Sequence, residues 1–163
     1  MSIQEGLLVE IQRETANTKR IIEKLSDEHW TWKPHEKSMS AGQLAAHIVE
    51  LHNWVYKAID KDVFDFHVDY KPTTETNFAD ILASLDNGLN ENTNFVKEKS
   101  EDFWFSPWTL KAGDHVLGQM HKLGAFRFII ANHLIHHRGQ LSVYLRMLDL
   151  PLPGIYGPSA DEK

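Results

Sequence analysis

Cysteine is absent from the 163 residues, which removes disulfides, thiolate metal sites, iron–sulfur clusters and a cysteine nucleophile together. A long apolar run is missing too. The best candidate, Leu123 to Ile135, is interrupted by Arg127, Asn132 and His133 and falls well short of the roughly 20 apolar residues a spanning helix needs. No cluster of Lys or Arg occurs, and 17 basic against 23 acidic residues leave a net charge of -6. That balance speaks against a nucleic-acid partner, whose backbone is held by grouped cations. The start, Met1-Ser-Ile-Gln-Glu, carries neither a basic region followed by an apolar stretch nor a lipidation signal. The expectation is a soluble cytoplasmic protein with no membrane and no nucleic-acid partner. Repeats and low-complexity tracts are lacking, so residues 1–163 are expected to form one domain, large enough to bury roughly 70% of the surface of the unfolded chain. Any chemistry must use His, carboxylates, hydroxyls or something borrowed, and the sequence holds ten histidines.

Apolar residues at spacings of three and four mark four helices. Leu8, Ile11, Thr15, Thr18, Ile22 and Leu25 give the first, over residues 3 to 25. Residues 26 to 39, with Trp30, Trp32 and Pro34, read as a connector that covers one end of a core. Ser40-Ala-Gly-Gln43 fits a capping box and opens a second helix through Leu44, His47, Leu51, Trp54 and Ala58 to about Asp60. Residues 61 to 76 are long enough to cross the end of a bundle. A third pattern, from Phe78 through Leu85 to Val96, contains Gly88, where a kink or break is expected. Phe103 to Trp108 and Lys111 to Asp114 read as an ordered loop with at most a short extended piece. The last helix carries Phe126, Ile130, His133, His137, Leu141, Tyr144 and Leu148 on one stripe and stops before Pro151 and Pro153. Four helices with almost no alternating strand pattern give an all-α four-helix bundle with long crossover connections.

His133 and His137, four apart on a helix, project from one face a turn apart and can hold one divalent ion. On a core-facing stripe both nitrogens of each ring need partners, and coordination satisfies one of them. His47, on the corresponding stripe of the second helix, can complete a site of three imidazoles with an open position, suited to Zn, Ni, Cu or non-haem Fe. His136 lies about 100° around the helix from His137 and is expected on a flank. His29, His35, His52, His67, His115 and His121 fall in connectors or off the stripes and are given packing or surface roles. Arg138 can bind an anionic substrate but is expected to form a surface salt bridge. Glu50 can orient a ligand ring but is expected to face solvent. Tyr144 is expected to pack in the core.

Two stretches, Ser40-Ala-Gly-Gln-Leu-Ala-Ala-His47 and Asn132-His-Leu-Ile-His-His-Arg-Gly-Gln140 with Tyr144-Leu-Arg146, resemble the DinB/YfiT-like family of four-helix-bundle metalloproteins. The ending Ile155-Tyr-Gly-Pro-Ser-Ala-Asp161 is similar as well, so the resemblance spans nearly the whole chain. It implies a homodimer and a divalent metal, Zn or Ni foremost and Mn or Fe as alternatives, on three histidines that match His47, His133 and His137. It also implies a metal-dependent transfer of a low-molecular-weight thiol cosubstrate to an electrophilic small-molecule substrate, in detoxification or stress. A hydrolase that uses a metal-bound hydroxide needs the same tripod. A third reading is a non-catalytic helical binding protein whose histidines only form hydrogen bonds.

Overall fold

The computed structural model describes residues 2–162; residues 1 and 163 of the expected domain lie outside the described residues. Among these, the long helices are α1 (Ile3–Ile22), α2 (Ala41–Lys57), α3 (Phe78–Glu98) and, after the short α4 (Glu101–Phe105) and α5 (Lys122–Gly124), α6 (Asn132–Met147). Helix α2 packs on α3 and α6, and α1 closes the group from the other side against the same two helices. No helix among the described residues is long and apolar enough to cross a membrane.

Local chemistry sets the helix starts. Ser2 and Ser40 both make the capping box, with Glu5 and Gln43 reaching back to the cap backbone. Such a cap is worth about 1 kcal/mol, and at Ser40 it fixes the helical phase of everything after it, His47 included. The connector before it is tied to this end: Trp32 and Trp30 carbonyls accept from the Ala41 and Gly42 amides. Trp30 lies so flat on the first turn that a Cβ at Gly42 would come within 2.3 Å of its ring.

The expected break at Gly88 does not occur, and α3 runs unbroken through it. Its buried face includes Phe78, Ile81, Leu85, Gly88, Asn92 and Phe95, and at Gly88 the helix lies hard against Asn53 of α2. A Cβ there would lie 1.8 Å from Asn53 Oδ1. The polar groups beneath it form a buried network: His52 Nε2 meets Thr15 Oγ1 at 2.8 Å, His52 Nδ1 meets Asn53 Oδ1 at 2.9 Å, and Asn92 Nδ2 donates to the His52 carbonyl at 2.9 Å. His52 therefore has the packing role expected of it.

The all-α expectation needs correction. Val63–Asp65, Pro107–Ala112 and His115–His121 form a mixed sheet in the order β1-β2-β3, with β1 parallel to β2 and β3 antiparallel to it. Strand β1 lies inside the expected crossover, β2 falls in the expected loop, and β3 follows that loop. Trp108 and Leu110, two apart, are the inward residues of β2. Trp108 Nε1 donates to the Ala58 carbonyl at 3.0 Å, so the sheet seals the C-terminal end of α2. Lys122, only 1% exposed, donates there to the carbonyls of Ile59 and Lys61 at 2.8 and 2.9 Å and pairs with Asp62. A cation at helix-end carbonyls is favourably placed.

At an exposed helix position Gly→Ala gains about 1 kcal/mol. Gly88→Ala is expected to reverse the sign and lose about 1–3 kcal/mol by overpacking in urea unfolding. A stability at or above wild type would show that Gly88 does not set the α2–α3 approach.

Candidate metal centre

Helix α2 is buried almost all round, and Gln43, His47 and Glu50 form the one strip of its first three turns that stays partly open. The buried face of α6 is Leu134, Arg138, Leu141, Tyr144 and Leu145, which corrects the stripe read through His133 and His137. Residues Ala125–Ala131 wind as a π-helix, with the Asn132 amide bonding to the Arg127 carbonyl five residues back. A π turn takes more residues than an α turn, so the inward face passes from Phe126 and Ile130 to Leu134 instead of His133. The two histidines stand at the edge of the core, facing the open strip of α2. His47 is likewise at an edge rather than inside the core, its side chain 24% exposed.

This phase shift brings the expected three residues together. One ligand nitrogen from each of His47, His133 and His137 lies within 4.8 Å of the other two, and the ring centroids are 4.6 to 5.2 Å apart. Each ring has its second nitrogen engaged by an acceptor. His47 Nδ1 lies 3.3 Å from Glu50 Oε2 and His137 Nδ1 lies 2.7 Å from Gln140 Oε1, while the His133 ring bonds to the backbone at Ile129. An ionised carboxylate, an amide oxygen and a carbonyl only accept, so each ring donates there, and in the neutral form its other nitrogen then carries the lone pair. Three imidazoles that each offer a ligand nitrogen at this spacing can hold one divalent ion.

Electrostatics act in the same direction. Burial, followed by repulsion from the His137 and His47 rings, pushes His133 down to about 4 from its ordinary 6.5. Burial, then the nearby His47 and His136, also lowers His137 against the opposing bond to Gln140. Burial alone would raise the Glu50 carboxyl, but hydrogen bonds from His47 and the Thr73 amide outweigh it and hold it below the ordinary range. His136 is exposed, its ring 5.0 Å from that of His137, and it stands outside the cluster.

Beside His47 opens a cleft of about 490 Å³, walled by Trp30, Met39, Tyr70 and Pro72 with Glu50 and Thr73 at its polar side. It gives a small molecule a way to the His47 ring. Tyr70 and Thr73 were not legible as site residues, since no period marks that connection.

A family model described as the DinB family matches residues 1–163. The chain belongs to the DinB family. Over 145 residues it is 27% identical to the uncharacterized protein YrdA of Bacillus subtilis strain 168, covering 89% of this chain and 83% of YrdA. A crystal structure of the DinB-like protein YjoA from Bacillus subtilis superposes with a TM-score of 0.71 at 20% identity, covering 97% of this chain and 99% of that one. That likeness shows the fold. A DinB-like protein from Bacillus cereus ATCC 10987 matches with a TM-score of 0.68 at 25% identity, over 93% and 97% of the two chains.

Within this DinB-family chain the run His133 to Gln140 divides by role. Arg138, expected on the surface, is 3% exposed. It donates to the Glu14 carbonyl at 3.0 Å and to Thr18 Oγ1 at 3.2 Å, and pairs with Glu14 Oε2 at 2.5 Å. It also bonds to the Tyr156 hydroxyl, which itself donates to Glu14. The guanidinium thus clamps α1, α6 and the C-terminal segment, with both terminal nitrogens engaged there. Tyr144 packs in the core as expected, its hydroxyl donating to the Met39 carbonyl at 3.1 Å.

Two outcomes follow for this DinB-family protein. Arg138→Met is expected to lose about 3 kcal/mol in unfolding, because Glu14 is left without its partner, and to keep the metal stoichiometry of wild type; loss of metal with unchanged stability would reverse the assignment. In metal-free protein, histidine-ring NMR is expected to find His133 neutral until about pH 4. Because the folded value lies below 6.5, the unfolded chain binds more protons between the two. The stability from the neutral ring is then complete above pH 6.5 and is lost as pH falls towards 4. A titration midpoint at or above 6.5 would contradict this.

Proposed function

We propose that this protein is a metal-dependent enzyme that transfers a low-molecular-weight thiol to an electrophilic small molecule, with His47, His133 and His137 as the metal ligands. The observation that carries the reading is that one ligand nitrogen from each of three imidazoles lies within 4.8 Å of the other two, while each ring is also bonded to an acceptor. When bound, a divalent ion acts as a Lewis acid that lowers the pKa of a thiol or a water, so that the nucleophile forms at neutral pH. The chain has no cysteine of its own, so the thiol comes from a cosubstrate. In the transfer the S–H proton is released, the sulfur bonds to the electrophilic carbon, and the leaving group departs with its electron pair. Glu50, Gln140 and the Ile129 backbone hold the rings in the tautomer that presents lone pairs. The cleft walled by Trp30, Met39 and Tyr70 receives the electrophile and shields it from water. A homodimer belongs to the same reading, supported by the exposed Phe105 and Phe128 beside an apolar cleft.

Untagged protein purified without nickel resin is expected to carry about one divalent ion per chain, and His137→Ala to lose it. Loaded with that metal, wild type is expected to conjugate a small thiol to an electrophile, with rate falling at least about 100-fold on chelation. Full turnover by metal-free protein would overturn the reading. Turnover that needs metal and ignores thiol would replace transfer by hydrolysis.

A further inference from the structure

The Glu50 carboxylate sits between the centre and the connection that borders the cleft. Its side chain is 12% exposed. On one side Oε2 accepts from His47 Nδ1 at 3.3 Å. On the other, Oε1 accepts from the Thr73 amide at 2.6 Å, and the Tyr70 hydroxyl lies 3.4 Å from both oxygens. One anion therefore holds a candidate ligand on α2 and two points of the connection between β1 and α3, 20 and 23 residues away in sequence. Tyr70 and Thr73 are also walls of the cleft next to His47.

We propose that Glu50 is the positioning residue of the centre: through His47 and Thr73 it couples metal occupancy to the seating of residues 70–73 along the cleft. The inference rests on the reading of the three histidines as metal ligands. Its physical basis is sharing of one acceptor. An imidazole that gives its free lone pair to a cation becomes a stronger donor at its other nitrogen, which fixes the carboxylate that the Thr73 amide and the Tyr70 hydroxyl need. Linkage makes the effect reciprocal, so loosening the connection must weaken the metal by the same factor. Because Tyr70 and Thr73 touch Glu50 rather than the rings, the coupling has to pass through that carboxylate.

The test uses Co²⁺ as a visible probe on the full-length protein, comparing wild type, Glu50→Gln, which keeps size and one acceptor oxygen, and Tyr70→Phe, which removes only a hydroxyl. Glu50→Gln is expected to weaken Co²⁺ about 10–100-fold at unchanged stoichiometry and to shift its visible absorption bands. Tyr70→Phe is expected to weaken it by a smaller factor. Hydrogen exchange at the Thr73 amide is expected to slow on Co²⁺ loading in wild type, and much less in Glu50→Gln. Equal affinities and spectra in all three, with Thr73 exchange indifferent to metal, would overturn the coupling while leaving the centre intact. No Co²⁺ binding by wild type would overturn the reading of the centre itself, and this inference with it.

Discussion

A helix packed against neighbours on nearly every side has one narrow strip left for polar side chains, and in α2 that strip is Gln43, His47 and Glu50. The rest of the site depends on this constraint. Gly88 lets α3 approach so closely that His52 and Asn53 are sealed into a hydrogen-bonded interior. Trp108 and Lys122 close the C-terminal end, and Trp30 and Trp32 are tied to the start. Held on all these sides, α2 cannot rotate to hide His47, and the ring has to find its partners at the edge: Glu50 on its own helix and the two histidines of α6.

The facing edge is set by the π-helical stretch before α6. Had Ala125–Ala131 wound as α-helix, the stripe of Phe126 and Ile130 would have carried His133 and His137 into the core. There, unpartnered imidazole nitrogens carry a desolvation cost of a few kcal/mol. The wider turn rotates Leu134 and Arg138 inward instead and leaves the two rings at the edge, against that of His47. It also contains Ile129, whose backbone supplies the His133 ring with its acceptor. Burial lowers the pKa of both rings yet leaves them at the edge of the core rather than sealed inside it.

Much of this was legible because it rests on period and capping. The spacing of Leu8 to Ile22, the Ser40 to Gln43 box and the i, i+4 histidines located three long helices and the candidate ligands, and the same stripe logic singled out His47 on a different helix. What escaped detection depends on partners far away in sequence. A π turn has no local signature in Ala125–Ala131, so the inward face of α6 was placed one residue off. The short strand β1 and the mostly exposed β3 carry no alternation, which hid the sheet. Arg138 and Glu50 were both expected at the surface. One is buried by Glu14 and Tyr156, more than a hundred residues apart from each other, and the other is engaged by Tyr70 and Thr73. The i, i+3 spacing of an acceptor after a histidine, in His47 to Glu50 and again in His137 to Gln140, is the signal that could have found the residues supporting the rings.

X-ray absorption spectroscopy of the untagged protein loaded with zinc tests the central claim most directly. The account predicts three imidazole nitrogens at about 2.0–2.1 Å with one further light atom completing the coordination. A spectrum with fewer than three imidazoles, or one dominated by carboxylate oxygens, would contradict it.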